Sequence, residues 1–411
     1  MMKKEYEILK NANKVVLAYS GGLDTSVIVS WLKENGAKEI ICVSGDLGQV
    51  KDPEALSKKA LASGASKFYN VEMKKEFIED YAFKILKADA KYENVYLLGT
   101  AIARPLIAKA LVDICKKENA DVIVHGCTGK GNDQIRFELS IMSLDPDIKV
   151  LAPWRFWDIK GRSEEEKYAK DHGIELSNEK DDDYSMDENI WHLSHEGLDL
   201  ENPENPANLE KVLKWVTPYE KAKDESEIVE IGFNKGVPIS LNGEKLDGAS
   251  IVEKLNDIAG KHAIGIDDIV ESRMVGMKSR GVYENPAASV LYFAHEKLES
   301  VTIHPDVLEY KQKMAIDYAK LVYAGKWMNP LKEAMDKFID KTQENVTGTV
   351  KVKLYKGSMQ PYGIKADKSL YIEQYATFEE DDVYDHSDAT GFINLFGLST
   401  KIYSKVIKGD N

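Results

Sequence analysis

Cysteine is scarce in this chain. Three among 411 residues, Cys42, Cys115 and Cys127, do not make a disulfide framework. Long apolar runs are also missing: no stretch reaches the ~18 residues of a membrane span. The start, MMKKEYEILKN, lacks the apolar centre of a secretion signal, and a cytoplasmic protein is the expectation. Positive charge is in deficit. A formal net charge of −14 argues against a general nucleic-acid binder, which carries a basic stripe. Neither G-x-x-x-x-G-K-[ST] nor G-x-G-x-x-G occurs, which removes the Walker loop and the dinucleotide fingerprint. Internal repeats and biased tracts are absent as well. The length nevertheless exceeds what one core usually serves, so two domains are expected.

What is present is concentrated in residues 15–26, VVLAYSGGLDTS. An apolar strand, Val15–Tyr19, runs into Ser20-Gly21-Gly22 and Asp24-Thr25-Ser26. A helix follows, with Val27, Ile28, Trp31 and Leu32 at helical spacing. Adjacent glycines let the backbone turn sharply and bring its N–H groups close to a ligand. Three hydroxyls and a helix N-terminus add donors and a positive dipole end. Such a loop is built to hold phosphate.

The first part of the chain alternates strand and helix. Val15–Tyr19 and Ile40–Ser44 read as buried parallel strands, with a helix ending at Gly36 between them. A helix over 53–63, the segment 67–71, a helix over 101–117 and a strand over 121–125 continue the pattern. Pro105 falls near the start of the third helix, where proline is tolerated. Its neighbour Arg104 reads as structural, although it is also placed to face a substrate. Successive βα units imply an α/β fold with a parallel sheet and ligands at the carboxyl ends of its strands. Glycine-rich loops follow both Tyr19 and His125, which points to one shared site.

The second loop is His125-Gly126-Cys127-Thr128-Gly129-Lys130-Gly131-Asn132-Asp133, with Arg136 beyond it. Its mixture of donors and acceptors suits a zwitterion: a carboxylate wants N–H groups and arginine, an ammonium wants aspartate. Cys127 reads as a small neutral residue, and Cys42 and Cys115 as core. Lys130 is a secondary candidate for a phosphate contact.

Past Lys160 the pattern changes. Ser163 and Glu166 form a capping box opening a short helix, and the polar stretch 178–183 looks like a crossing. From Ser226 the pattern is α+β. ESEIVEIGF and VPISL read as strands, and Asn242-Gly243 as a tight turn. Helices are expected at 248–261, 287–299, 305–326 and 331–344. GTVKVKLYKG reads as a strand partnered by 369–375, and 389–408 as a terminal helix suited to docking on a neighbouring subunit or equally to packing on its own chain. His192-x-x-His195 has metal spacing on a helix, beside the carboxylates Asp181–Asp183, Asp187 and Glu188. Nothing nearby clearly supplies a third zinc ligand, so a protein-held metal is not expected.

Several segments then follow one another in order. They are SGGLDTS, YLLGTAIARPLIAK (96–109), HGCTGKGNDQIRFE (125–138), APWR (152–155), SMDENIWHLSHEG (185–197), ESRMVGMKSRGVYENPA (271–287) and DATGF (388–392). Together they resemble the argininosuccinate synthase family, within the ATP pyrophosphatase (PP-loop) superfamily, over essentially the whole chain. The first loop is common to many ATP pyrophosphatases, and the later motifs discriminate.

The resemblance implies an N-terminal parallel-sheet nucleotide-binding domain of the adenine nucleotide alpha hydrolase type at 1–172. An α+β synthetase domain at 173–385 and an oligomerisation helix at 386–411 follow, in a homotetramer. It further implies a ligase that joins citrulline to aspartate using ATP with Mg²⁺, through a citrullyl-adenylate. By motif, ATP falls to Ala18, Tyr19, Ser20, Gly21, Gly22, Leu23, Asp24, Thr25, Ser26, Gly45 and Gly126. Aspartate falls to Thr128, Asn132 and Asp133. Citrulline falls to Tyr96, Asn132, Arg136, Ser185, Ser194, Glu271 and Tyr283, and Asp133 and Arg136 are the candidates for catalysis. Several family members have serine where this chain has Ala101, so no side-chain hydrogen bond to citrulline is available there.

A tRNA sulfur-transferase shares the pyrophosphate loop but needs a basic RNA-binding face and usually a reactive cysteine, both disfavoured here. An amidotransferase would need a glutaminase nucleophile, and none is apparent. A non-catalytic nucleotide sensor is disfavoured by the intact SGGLDTS, Arg136 and Glu271.

Overall fold

The computed structural model describes residues 4–174, 184–377 and 383–409. The chain forms two compact units, Met1–Lys368 and Ser369–Asn411. In the first, five strands make a wholly parallel sheet: β1 (Lys14–Ala18), β2 (Glu39–Asp46), β3 (Lys67–Glu72), β4 (Val122–Val124) and β5 (Lys149–Leu151). Their order is β3-β2-β1-β4-β5. Helices cover both faces, so β1 and β4 are buried through Val15-Val16-Leu17 and Val122-Ile123-Val124 and read as continuous apolar runs rather than alternating ones. The chain winds outward from β1 to one edge, then returns to β4 on the other side. The crevice between β1 and β4 is therefore the switch point at which such sheets bind ligands. Both glycine loops leave the sheet there.

The helices expected in this half are present, with two departures. Gly99–Glu118 begins earlier than the sequence indicates, from Leu98 in the left-handed region at φ 63°. Pro105 consequently lies inside the helix and not near its start. Ser163 and Glu166 form no capping box: the helix Arg162–Asp171 starts from Gly161 with no side-chain cap, and Ser163 falls within it. Glu164 Oε2 instead accepts the Lys160 N–H at 2.8 Å. The stretch 178–183 lies outside the described residues.

Beyond residue 184 the sheets are antiparallel. One has four strands, Ile266–Ser272, Lys278–Glu284, His192–Glu196 and Ser185–Asn189, in that spatial order. His192 and His195 therefore stand on a strand, where residues three apart point to opposite faces, and the helical metal spacing is not realised. Among the described residues no cluster of three or more His, Cys, Asp or Glu could hold a metal.

The other sheet, in spatial order, contains Glu244–Lys245, Val237–Leu241, Glu227–Asn234, Gly348–Tyr355 and Ser358–Ala366. The partner of Gly348–Tyr355 is thus Ser358–Ala366, not 369–375. Lys356 and Gly357, both at positive φ (43° and 81°), turn the chain immediately after Tyr355, earlier than the apolar alternation suggests. Helices Gly248–Lys261, Pro286–Thr302, Pro305–Tyr323 and Pro330–Thr342 fall where expected, three of them opening on proline at the first position.

In the second unit the terminal helix is two helices, Asp388–Phe396 and Leu398–Ile407, which meet at Gly397. They leave Phe392, Leu395, Phe396 and Val406 exposed. Among the described residues no helix is long and apolar enough to cross a membrane.

Candidate functional site

The first loop is held by its own hydroxyls. Ser20 Oγ accepts the Gly22 N–H at 3.3 Å and lies 3.2 Å from Thr25 Oγ1, while Tyr19 Oη lies 3.1 Å from Ser26 Oγ. Gly21 has φ +82°, and a Cβ there would stand 2.3 Å from Leu56 Cδ1, so glycine is required on both counts. Lys59 Nζ donates to the Gly21 carbonyl at 2.6 Å, placing a cation beside the loop of this acidic chain. Sequence reasoning missed that lysine, because it belongs to the next helix, Pro53–Ala62.

Beneath the loop, Glu165 is 1% exposed and hydrogen-bonds Asp24; burial first, then the neighbouring Asp24, push its carboxyl up to about 9. At neutral pH Glu165 is the protonated partner, with a proton to share with Asp24. Gly45 is the last residue but one of β2, and a Cβ there would lie 2.5 Å from Met73 Cε. At Gly126 a Cβ would come within 3.2 Å of Ile28 and 3.4 Å of Thr25, which shows how closely the second loop rests on the first.

The second loop is braced from behind. His125 Nδ1 accepts the Cys127 N–H (3.2 Å), which leaves Nε2 to donate to Glu138 (3.1 Å). Arg155, of the APWR segment, bridges Gln134 and Glu138 at 2.7 and 2.5 Å. These contacts steady the start of helix Asp133–Leu144, and Asn132, Asp133 and Arg136 project from it.

There Asp133 is clamped by two arginines: Arg104 Nε donates to one oxygen at 2.8 Å and Arg136 Nη1 to the other at 2.9 Å. Burial works to raise the Asp133 pKa, but Arg104 and Arg136 prevail and hold it below the usual carboxylate range. Arg104 also donates to Asp187 Oδ1 at 2.8 Å. Thr100 gives its proton to Asp187 Oδ2 (2.7 Å) and so accepts from His192 Nε2 (2.9 Å). Burial drops His192 to about 4, which makes it a neutral donor. Arg104 is thus a structural clasp between Asp133 and the strand Ser185–Asn189.

Around Arg136 the fold gathers residues from distant segments. Tyr96 faces Tyr283 (ring centroids 5.1 Å) and Tyr323 (6.0 Å). Ser194 is paired with Tyr283 across the sheet. Glu271 is buried here and raised above its ordinary value, because desolvation outweighs the pull of Arg136 and Tyr323. Tyr96, Asn132, Arg136, Ser194, Glu271 and Tyr283 therefore form one buried cluster, with the half-buried Asp133 paired to Arg136. Thr128 and Ser185 are exposed, Ser185 lying opposite Glu196 in the strand pair. Lys130 is exposed, its carbonyl accepting from Arg273 at 3.4 Å. Tyr323, Arg104, Asp187 and Thr100 complete the cluster. Of these, Tyr323 had no local signature at all, since it ends a helix whose sequence reads only as amphipathic.

A glycine loop at a helix N-terminus, a second loop adjoining it, and a pocket with both arginine and carboxylate thus lie together at one end of the sheet. Comparison with known proteins gives the family. Residues 14–175 match the family model described as Arginosuccinate synthase N-terminal HUP domain, and 184–403 match the Arginosuccinate synthase C-terminal domain. A protein of Clostridium perfringens named argininosuccinate synthase is 53% identical over 97% of this chain and 99% of its own length. Proteins of the same name from Desulfitobacterium hafniense and Carboxydothermus hydrogenoformans are 54% and 55% identical, over 98% and 95% of this chain and 97% of each relative.

Proposed function

The chain belongs to the argininosuccinate synthase family, and from that premise we propose how its residues divide three substrates among them. It is an ATP-using ligase that makes argininosuccinate. ATP lies along residues 18–26 with its phosphates at the Gly21-Gly22 turn and the start of helix Leu23–Glu34, and with Gly45 and Gly126 beside it. Citrulline occupies the pocket of Tyr96, Asn132, Arg136, Ser185, Ser194, Glu271 and Tyr283, its carboxylate on Arg136. Aspartate is held by Thr128, Asn132 and Asp133. Mg²⁺ is part of the nucleotide substrate, carried on the ATP phosphates, where it offsets their charge.

The ureido oxygen of citrulline attacks the α-phosphorus, since its flanking nitrogens push electrons toward it. The α–β phosphoanhydride bond breaks and pyrophosphate leaves. The deprotonated aspartate amine then attacks the ureido carbon of the citrullyl-adenylate and releases AMP. Catalysis of this kind is positioning and electrostatics: loop amides meet the charge that develops on the leaving pyrophosphate, and side chains hold the reactants in line. Asp133 is too stabilised as an anion by Arg104 and Arg136 to be a good base, so its role is to orient the aspartate ammonium. The observation that carries this reading is the Arg136–Asp133–Glu271 grouping beside a phosphate loop, opposite charges buried within one pocket.

Citrulline labelled with ¹⁸O in its ureido group tests it. Turnover with ATP and aspartate should deliver the label to AMP, and label retained in the amino-acid product would contradict the adenylate route. The exposed apolar residues of the terminal helices support docking between copies in a homotetramer. Light scattering of Phe396→Asp should then report a smaller species than wild type.

A further inference from the structure

One aromatic residue that joins several parts of the pocket belongs to none of the motifs quoted above. Tyr323 ends the helix Pro305–Tyr323. Its carbonyl accepts Arg136 Nε at 3.1 Å, its ring lies 4.9 Å from the Arg136 guanidinium, and Tyr92 stacks on it at 3.5 Å. Gly325 closes the same seam: a Cβ there would fall 2.6 Å from Arg136 Cα.

The hydroxyl has a definite polarity. The Met274 N–H donates to Asn132 Oδ1 at 2.8 Å, which fixes the orientation of that amide. Asn132 Nδ2 must then be the donor to Tyr323 Oη, also at 2.8 Å. A phenol that accepts there has one proton left to give, and the neighbouring Glu271 carboxylate is the group able to take it. Glu271 is only 6% exposed, yet its Oε2 has no partner. A buried carboxylate oxygen without a donor is costly, and a ligand cation relieves that cost.

We propose that Tyr323 is a positioning residue for the amino-acid substrate: its hydroxyl, taking a hydrogen bond from Asn132 and giving one to Glu271, leaves the free Glu271 oxygen for the α-ammonium group of citrulline. The proposal rests on the reading of the pocket given above, and it adds a residue outside the family's motifs. One tyrosine thereby ties Asn132 and Arg136, at the start of helix Asp133–Leu144, to the strand residue Glu271.

The tie has a pH signature. Glu271 faces Arg136, Arg273, Glu196, Tyr92, Tyr96, Tyr283 and Tyr323. Burial and Glu196 raise it, while Arg136, Tyr323 and Arg273 lower it. Removing the Tyr323 hydroxyl deletes a contribution that lowers it, so the pKa rises further. Only the ionised carboxylate takes an ammonium, and binding is lost as pH falls through that pKa. The acid limb of kcat/KM for citrulline therefore moves to higher pH.

Tyr323→Phe, compared with wild type in steady-state kinetics across pH and by thermal melting, tests this. The citrulline KM should rise roughly 10–100-fold, the scale for a lost hydrogen bond to a charged group. The ATP KM should stay within about twofold, with the acid limb displaced upward. An unchanged citrulline KM and limb overturns the proposal. So does a parallel rise of the ATP and citrulline KM values with a lowered Tm, the mark of a merely structural residue. Wild type separates the two claims. If it fails to turn over citrulline, the pocket reading falls together with the proposal. Normal turnover beside an unaffected Tyr323→Phe overturns the proposal alone.

Discussion

The glycine loop at 20–26 and the pocket around Arg136 adjoin at the same end of the parallel sheet, yet they are assembled in different ways. In the loop, the hydroxyl bonds join residues within seven positions of one another, while Lys59 and the Leu56 wall come from the next helix and Glu165 from further along the chain. In the pocket, partners lie far apart in sequence: Asn132 with Tyr323 at 191 residues, Arg104 with Asp187 at 83. A site made locally announces itself as a motif. A site made by tertiary packing is present only once the fold has formed, and a change well outside it can dismantle it.

Substitutions can separate the two regions. The largest effect is expected for Arg136→Ala, which should raise the citrulline KM roughly 10–150-fold, or about 1.5–3 kcal/mol for a charge-assisted hydrogen bond; unchanged citrulline kinetics would detach Arg136 from the substrate carboxylate. Gly21→Ala is the counterpart in the loop. Positive φ strains a side chain by about 1–3 kcal/mol, and the added Cβ meets Leu56, so ATP affinity should fall roughly 10-fold or more while citrulline binding holds. Direct binding assays of both ligands check this, and a matched loss of both would erase the distinction.

The smallest effect concerns Glu165. Its folded pKa is raised to about 9 from an ordinary value near 4.5, so between those values the folded state binds the extra proton. Its contribution to stability is present at low pH and is lost as pH rises toward 9. Glu165→Gln keeps a neutral donor to Asp24, so its Tm should decline less than that of wild type between pH 6 and 9. Parallel melting curves would contradict the shared proton.

Much of the fold and part of the site were legible in the amino-acid order, for the same physical reason. Buried parallel strands, helix starts and glycine turns are short-range patterns, and β1, β2, β4 and the loops after β1 and β4 were readable on that basis. The pairing of Gly348–Tyr355 was not, because it hinged on a turn at Lys356-Gly357 hidden inside a continuous alternation. His192-x-x-His195 misled because i, i+3 spacing carries a metal meaning only on a helix, and it lies on a strand. Most of the pocket was recoverable through resemblance, since its residues sit in recognisable motifs. Tyr323 and the Arg104–Asp187 clasp were not, since neither the end of an amphipathic helix nor an arginine before an interior proline says what it will face.

The most direct test of the division between the two regions is equilibrium titration of a non-hydrolysable ATP analogue into Arg136→Ala. Loss of citrulline affinity with nucleotide Kd held at the wild-type value is the expected result, because the loop carries its own scaffold. A nucleotide Kd that weakens in step with citrulline would contradict it and make the two regions one cooperative site.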